Sequence, residues 1–333
     1  MQKRKLRIGI IGAGSIGSLF GGYLASIISE DFLLQVIFFG NRGQVDEINK
    51  HGLMIFQGKK SISVNTIKAY ENSNVIEEII SKNSEYNFDF IFLSIKTYDL
   101  ESALKQYKKI IKSSKYIVIL QNGIGNEELV KNYVSEKKII RIVTSHGALL
   151  TKPGHVYHTG EGFTKIGFAF LGTKDKTDFF SSFKDLETLK SILDLGGIKT
   201  EIVDNIIQAS WEKVFVNIGI NALGALTRLH NGALLEDEEL KALMKDAVIE
   251  AVNIAQLKKI QLLDTDYVKL TYSVAEETYF NKNSMLQDIL NGKKTEIDFF
   301  NGKIIKFAKE FGINVPVNEI LTSLIKGLEK SLS

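Results

Sequence analysis

Ile8-Gly9-Ile10-Ile11-Gly12-Ala13-Gly14-Ser15-Ile16-Gly17 decides the fold. Leu6–Ile11 reads as a strand buried on both faces. From Ile16 the apolar residues fall at Phe20, Tyr23, Leu24 and Ile27, which predicts a helix over 16–29. Between them stands GxGxxG in its required context. Gly12 permits the tight turn, Gly14 lets the backbone approach a pyrophosphate, and Gly17 lets the helix pack near the strand. Phosphate then meets the amides at the helix N-terminus. A glycine-rich turn without a ligand would carry the same letters. The position of the motif, at the first strand of a βαβ series, favours dinucleotide binding.

That series runs outward from the loop. Apolar strands at 35–39, 88–94, 116–120 and 139–144 alternate with helical segments at 45–51, 99–111 and 127–134. Such alternation implies a mostly parallel sheet. Residues 155–170 read as hairpin-like strands, 178–195 as a helix and 200–203 as a last short strand. Beyond about residue 205 strand-like runs cease. Helical segments follow at 206–225, 237–259, 264–281, 295–311 and 319–332. The expected organisation is α/β: an N-terminal Rossmann-type domain over 1–203 and a C-terminal all-helical domain over 204–333.

The length of 333 residues suits two domains. Apolar residues make up 44% and charged residues 24%, enough apolar content for a large core and against disorder. Forty-two basic and 39 acidic residues leave a net charge of +3, too small for general attraction to nucleic acid or anionic lipid. There is no cysteine, which excludes a disulfide scaffold, a thiol nucleophile and a Cys-ligated metal. No metal is expected, and a reducing cytoplasmic location is. Lys3, Arg4, Lys5 and Arg7 precede 22 uncharged residues, as in a signal peptide or membrane span. Ten of those 22 are Gly or Ser, so strand, glycine turn and helix explain them better.

The end of the second strand bears on the cofactor. It reads Phe39-Gly40-Asn41-Arg42, with no carboxylate to hold a ribose 2′-hydroxyl. A guanidinium suits a 2′-phosphate, so NADPH/NADP is the expected cofactor and Arg42 its reader. The bland alternative for Arg42 is an ordinary surface arginine.

In the second half, the helix around Ser210-Trp211-Glu212-Lys213 is apolar nearly all round and should be buried. Lys213, Asn217 and Asn221 stand at i, i+4 and i+8, within an arc of about 80°. Buried polar groups need partners, water or a ligand. This line is either a seam to a neighbouring element or a substrate-facing site; its place at the start of the second domain favours the site. Further on, Thr295 and Asp298 read as a capping box. Glu296 is not needed by that box, though a charge–dipole contact would account for it. Ser284 reads as a helix cap if nothing else.

Taken together these segments resemble the ketopantoate reductase family over nearly the whole chain. The resemblance rests on GAGSIG at 12–17, Arg42, SIKTYD at 94–99, QNGIGN at 121–126, HGA at 146–148 and GHVYHTG at 154–160. WEKVFVNIGIN at 211–221 and NSMLQDI with KTEIDFFNG within 283–302 complete it. It implies a Rossmann domain plus a helical domain, with the site in the cleft, and NADPH-dependent reduction of 2-dehydropantoate to pantoate, a step toward coenzyme A. Carried over by motif, Lys213 is the general acid and Glu296 helps hold the substrate. Ser284 binds the substrate carboxylate, and Asn217 and Asn221 line the substrate site. The cofactor residues are Gly12, Ala13, Gly14, Ser15, Ile16, Gly17, Arg42, Lys96 and Asn122.

The chain departs from the family at Ala222, where many members have proline, and in extra residues around 70–87. The expected partner is a small-molecule 2-oxo acid, with a homodimer as the assembly open to it and no nucleic acid or membrane. Two other readings stand beside this one. One is a reductase of a different 2-oxo acid on the same frame. The other is a non-catalytic NADP-binding regulator, which would have no need of Lys213 and Glu296.

Overall fold

Strands without a polar face must be covered on both sides, and the apolar runs of the first half build such a sheet. The computed structural model describes residues 3–82, 87–170 and 176–332, the side chains of 176–180 apart. Its strands are β1 (Arg4–Ile11), β2 (Phe32–Phe39), β3 (Leu53–Gln57), β4 (Lys60–Val64), β5 (Lys68–Tyr70) and β6 (Phe90–Leu93). They continue with β7 (Tyr116–Ile119), β8 (Ile139–Thr144), β9 (Gly147–Lys152), β10 (His155–Gly160), β11 (Thr164–Phe168) and β12 (Thr200–Ile202). The helices of the first half are α1 (Ser15–Ala25), α2 (Arg42–His51), α3 (Asn74–Lys82), α4 (Leu100–Gln106), α5 (Lys108–Ser113), α6 (Asn126–Val130) and α7 (Lys176–Leu195). Those of the second are α8 (Ile206–Thr227), α9 (Glu238–Leu257), α10 (Tyr267–Glu277), α11 (Ser284–Leu290), α12 (Asn301–Phe311) and α13 (Pro316–Leu332).

β5, β2, β1, β6, β7 and β8 lie side by side in that order, all parallel. This is the doubly wound order, whose direction of winding reverses between β1 and β6. Ligands of such sheets bind beyond the carboxyl ends of the strands at that reversal, where Gly12 follows β1. β11 adds antiparallel to β8, and β12 parallel to β11. A second sheet, in the order β4-β3-β10-β9, contains three strands the sequence pattern did not reveal, β3, β4 and β9. β4 is exposed at four of its five residues, so no apolar alternation marks it. Of the extra residues around 70–87, 74–82 are helical and 83–86 lie outside the described residues.

The chain divides into two compact units: Met1–Gln121 with Gly125–Ile206, and Asn122–Ile124 with Ile207–Ser333. The first has Leu6, Ile8, Ile10, Phe38, Phe92 and Val118 in its core. In the second, Phe215, Ile218, Met244, Val248 and Ile304 pack together around α8, and Ile124 joins them. No strand follows Ile202 among the described residues, and no helix there is long and apolar enough to cross a membrane.

Several helices are shorter or more broken than their spacing predicts. α1 stops at Ala25 rather than 29, with the amide of Ser26 bonded back to Gly22 O and Tyr23 O. The segment 99–111 splits at Tyr107 into α4 and α5. The segment 295–311 begins as a separate 3₁₀ turn, Ile297–Phe299, and α12 starts only at Asn301.

Candidate active site

The three glycines of the loop in the first unit are held to three different steric demands. Gly12 has φ +105, and a Cβ there would lie 2.5 Å from Ile95 N. Its amide donates to Phe39 O at 2.9 Å, and its carbonyl accepts from Ser94 Oγ at 2.8 Å. A Cβ on Gly17 would overlap Gly12 O and Ser94 Oγ. A Cβ on Gly14 would meet nothing within 4 Å. The first and third glycines are thus demanded by packing, and the second faces open space. Gly14 is also the N-cap of α1, which has no side-chain cap and no acidic residue in its first turn. A loop with open space at Gly14 and an uncapped helix end fits a dinucleotide pyrophosphate.

Ala13, Ser15 and Ile16 complete the loop. A Cβ on Gly40 would stand 2.9 Å from that of Ala13, so the end of β2 lies against the loop. Arg42, two residues on, is the first residue of α2, capped by Asn41, whose side chain accepts from Gln44 N at 3.0 Å. The Arg42 side chain is 81% exposed and meets Asp46 at 3.6 Å. An exposed pair of this kind contributes roughly 0–1 kcal/mol, so the guanidinium is readily redirected to a phosphate. Lys96 is half-buried at the start of the 3₁₀ turn Thr97–Asp99, just past β6.

The segment 146–160, which spans the motifs at 146–148 and 154–160, holds α1 in place. Ser15 Oγ accepts from Leu150 N at 3.0 Å. Tyr23 Oη lies 2.8 Å from His158 Nδ1, and His158 Nε2 lies 2.9 Å from His146 Nδ1. Burial pushes both imidazoles below the usual histidine range, with His158 beside His146 adding to the effect there.

In the second unit α8 carries the polar line. Gly219 allows the close crossing of α10, since a Cβ there would meet Thr271 Cγ2 at 2.7 Å. Trp211 stacks on Phe307 with ring centroids 5.9 Å apart. Lys213 Nζ donates to Asn122 Oδ1 at 2.7 Å. Lys213 and Asn217 are half-buried, while Asn221 is only 3% exposed. Asn221 Nδ2 has no hydrogen-bond partner among the described residues. A buried amide donor without a partner costs about 1–3 kcal/mol, the kind of cost a ligand acceptor offsets.

Asn122-Gly123 joins two parts of this unit. Asn122 takes the Lys213 hydrogen bond. Gly123, at φ +82, backs onto the turn after Glu296: a Cβ there would come 2.8 Å from Phe299 O. Asn122, expected among the cofactor residues, is thus placed against the proposed general acid. Ser284 is the exposed first residue of α11. The cap is Asn283, whose Oδ1 accepts from Leu286 N at 2.9 Å, so Ser284 is not the helix cap. Gly224, one turn beyond Asn221, has no room for a side chain because Asn283 Nδ2 lies against it. An Asn before an apolar run is itself a cap signal and could have been read as one.

Glu296 is 7% exposed. The capping box around it does not form. The amide of Thr295 donates to Glu329 Oε1 at 2.7 Å, and Asp298 pairs with Lys326 at 2.6 Å. A carboxylate on another helix outcompetes the local one, and no local pattern in the sequence announces it.

Comparisons with known proteins identify the family. A family model described as ketopantoate reductase matches residues 8–169, and one for the C-terminal part of that family matches 205–329. A 2-dehydropantoate 2-reductase of Pyrococcus horikoshii is 37% identical over 97% of this chain and 98% of its own. A ketopantoate reductase of Ralstonia eutropha superposes with a TM-score of 0.82, at 26% identity, covering 98% of this chain and 99% of that one. D-mandelate dehydrogenase, solved with NADH and anilino(oxo)acetate, also gives 0.82, at 27% identity and coverage of 98% and 99%.

Proposed function

The chain belongs to the ketopantoate reductase family, and from that premise we propose that it is an oxidoreductase reducing 2-dehydropantoate to pantoate with NADPH. The observation that carries the reading is the Lys213–Asn122 hydrogen bond of 2.7 Å on a buried helix whose Asn221 keeps an unpartnered donor. A purely structural seam would leave the Asn221 donor unsatisfied.

A nicotinamide dinucleotide, when bound, would supply a hydride to the 2-oxo carbon. Negative charge then builds on the former carbonyl oxygen. The Lys213 ammonium stabilises that charge and donates the proton, giving the 2-hydroxy acid. Asn122 accepts one of the three ammonium hydrogens and so directs the group. Asn217 and Asn221 offer amide donors along the same face of α8. Ser284 binds the substrate carboxylate, and Glu296 holds the substrate from the opposite motif. Gly12, Gly14 and Gly17 shape the pyrophosphate loop, with Lys96 beyond the neighbouring strand, and Arg42 reads the 2′-phosphate.

D-mandelate dehydrogenase among the structural neighbours supports a second reading, an NADH-linked reductase of another 2-oxo acid. NADPH and NADH oxidation across a panel of 2-oxo acids, including 2-dehydropantoate and phenylglyoxylate, separates the two. The reading predicts the highest kcat/KM for 2-dehydropantoate with NADPH. A higher value for another acid, or for NADH, favours the second reading, and binding of NADPH without turnover of any acid would make the chain a regulator.

A further inference from the structure

We propose that Glu329, near the end of α13, is the positioning residue for Glu296. The Glu329 carboxylate receives two charge-assisted hydrogen bonds on one oxygen, from Thr295 N at 2.7 Å and Thr295 Oγ1 at 2.6 Å. With its hydrogen given to Glu329, the Thr295 hydroxyl accepts from Ile297 N at 3.2 Å. The amides on either side of Glu296 are therefore bound to one relay: Glu329 to Thr295, Thr295 to Ile297. Thr295 is 2% exposed and Ile297 1%, so water competes little for these bonds.

The platform is itself fixed. At the other end of α13, Val317 N and Asn318 N donate to the two carboxylate oxygens of Glu250 on α9, at 2.9 and 3.0 Å. Leu321 and Ile325 are buried between these ends. Lys326 also reaches the turn, through Asp298, but both side chains are nearly half exposed, and such pairs hold little. A locally capped turn would rest on its own residues; this one depends on a helix at the far end of the chain.

The proposal rests on Glu296 acting on the substrate, so the test is a double-mutant cycle. Glu329→Ala is expected to lower kcat/KM for 2-dehydropantoate about tenfold to hundredfold, mostly through KM, the scale of a misplacement near 1 Å. The Kd for NADPH is expected to stay unchanged. Glu329→Gln keeps an acceptor oxygen and the fold, and should recover most of the activity. Lys326→Ala should change kcat/KM less than about twofold. In a Glu296→Gln background, Glu329→Ala should add less than about twofold.

Equal losses from Glu329→Ala in both backgrounds would overturn the positioning role. So would a fully active Glu329→Ala beside an impaired Glu296→Gln. A fully active Glu296→Gln would overturn the reading of Glu296 itself, and the proposal with it.

Discussion

At the glycine loop the groups offered to a ligand are backbone amides, and their geometry follows from where a Cβ can stand. At the Glu296 turn the group proposed for the substrate is a side chain, and Thr295 beside it is bonded to a carboxylate 34 residues away. The first arrangement is written in residue types at fixed spacing, because only glycine satisfies Gly12 and Gly17. The second is written in a pairing, and many residues could supply an acceptor for Thr295. Steric demands leave a mark at the position where they act; electrostatic partnerships leave one only in three dimensions.

The largest effect is expected at the polar line of the second unit. Lys213→Ala should lower kcat by roughly 10²–10⁴, the range for losing a positioned general acid, with the Kd for NADPH little changed. Near-wild-type turnover in an absorbance assay would remove Lys213 from the chemistry and leave its line a structural seam.

The glycine loop offers next a test of steric and ligand demands within one motif. Gly14→Ala places its methyl in open space at an ordinary φ of −79. Its melting temperature should hold or rise slightly, since Gly→Ala at a compatible site contributes about 0.4–1 kcal/mol. Its Kd for the dinucleotide should rise by about tenfold or more, equivalent to some 1.4 kcal/mol. Gly17→Ala should lose both, because its methyl would overlap Gly12 O. Equal melting losses in the two variants would contradict the separate roles.

Arg42 sharpens the same contrast with a side chain. A charge-assisted bond to a 2′-phosphate contributes about 1.5–3 kcal/mol, or roughly a tenfold to hundredfold preference for NADPH over NADH. Arg42→Ala should shrink that preference by weakening NADPH alone, and added salt should act in the same direction. A variant weakened equally toward both cofactors would show that Arg42 does not read the phosphate.

The smallest effect concerns the His146–His158–Tyr23 chain. Burial lowers both histidines in the folded protein below their unfolded value near 6.5, so the unfolded chain binds more protons below that pH. The stability they contribute is fully present above about pH 6.5 and is lost as pH falls toward their folded values. Urea midpoints from about pH 7.5 down to about 5.5 should fall more steeply in wild type than in His146→Asn/His158→Gln. Identical slopes would show that the pair titrates as in the unfolded chain.

Where sequence reading succeeded and where it stopped follows the same division. β6 and β7, and the apolar stretches of β1 and β8, were legible because a doubly covered strand is mostly apolar, although Arg7 and Arg141 are buried within the last two. β4 was not, since four of its five residues face solvent. Lys213, Asn217 and Asn221 stood out as polar residues on an apolar helix. Asn122 was legible only as part of a loop motif, and its hydrogen bond to Lys213 needed the fold. The capping box at Thr295 and Asp298 matched a local pattern that Glu329 and Lys326 override.

The most direct test of the account is transfer of deuterium from NADPH labelled at the nicotinamide hydride position, with 2-dehydropantoate as acceptor. Wild type is predicted to yield pantoate with one deuterium at the carbon bearing the new hydroxyl, and Lys213→Ala to form the same product far more slowly. Pantoate without the label, or no pantoate while another 2-oxo acid is reduced, would contradict it.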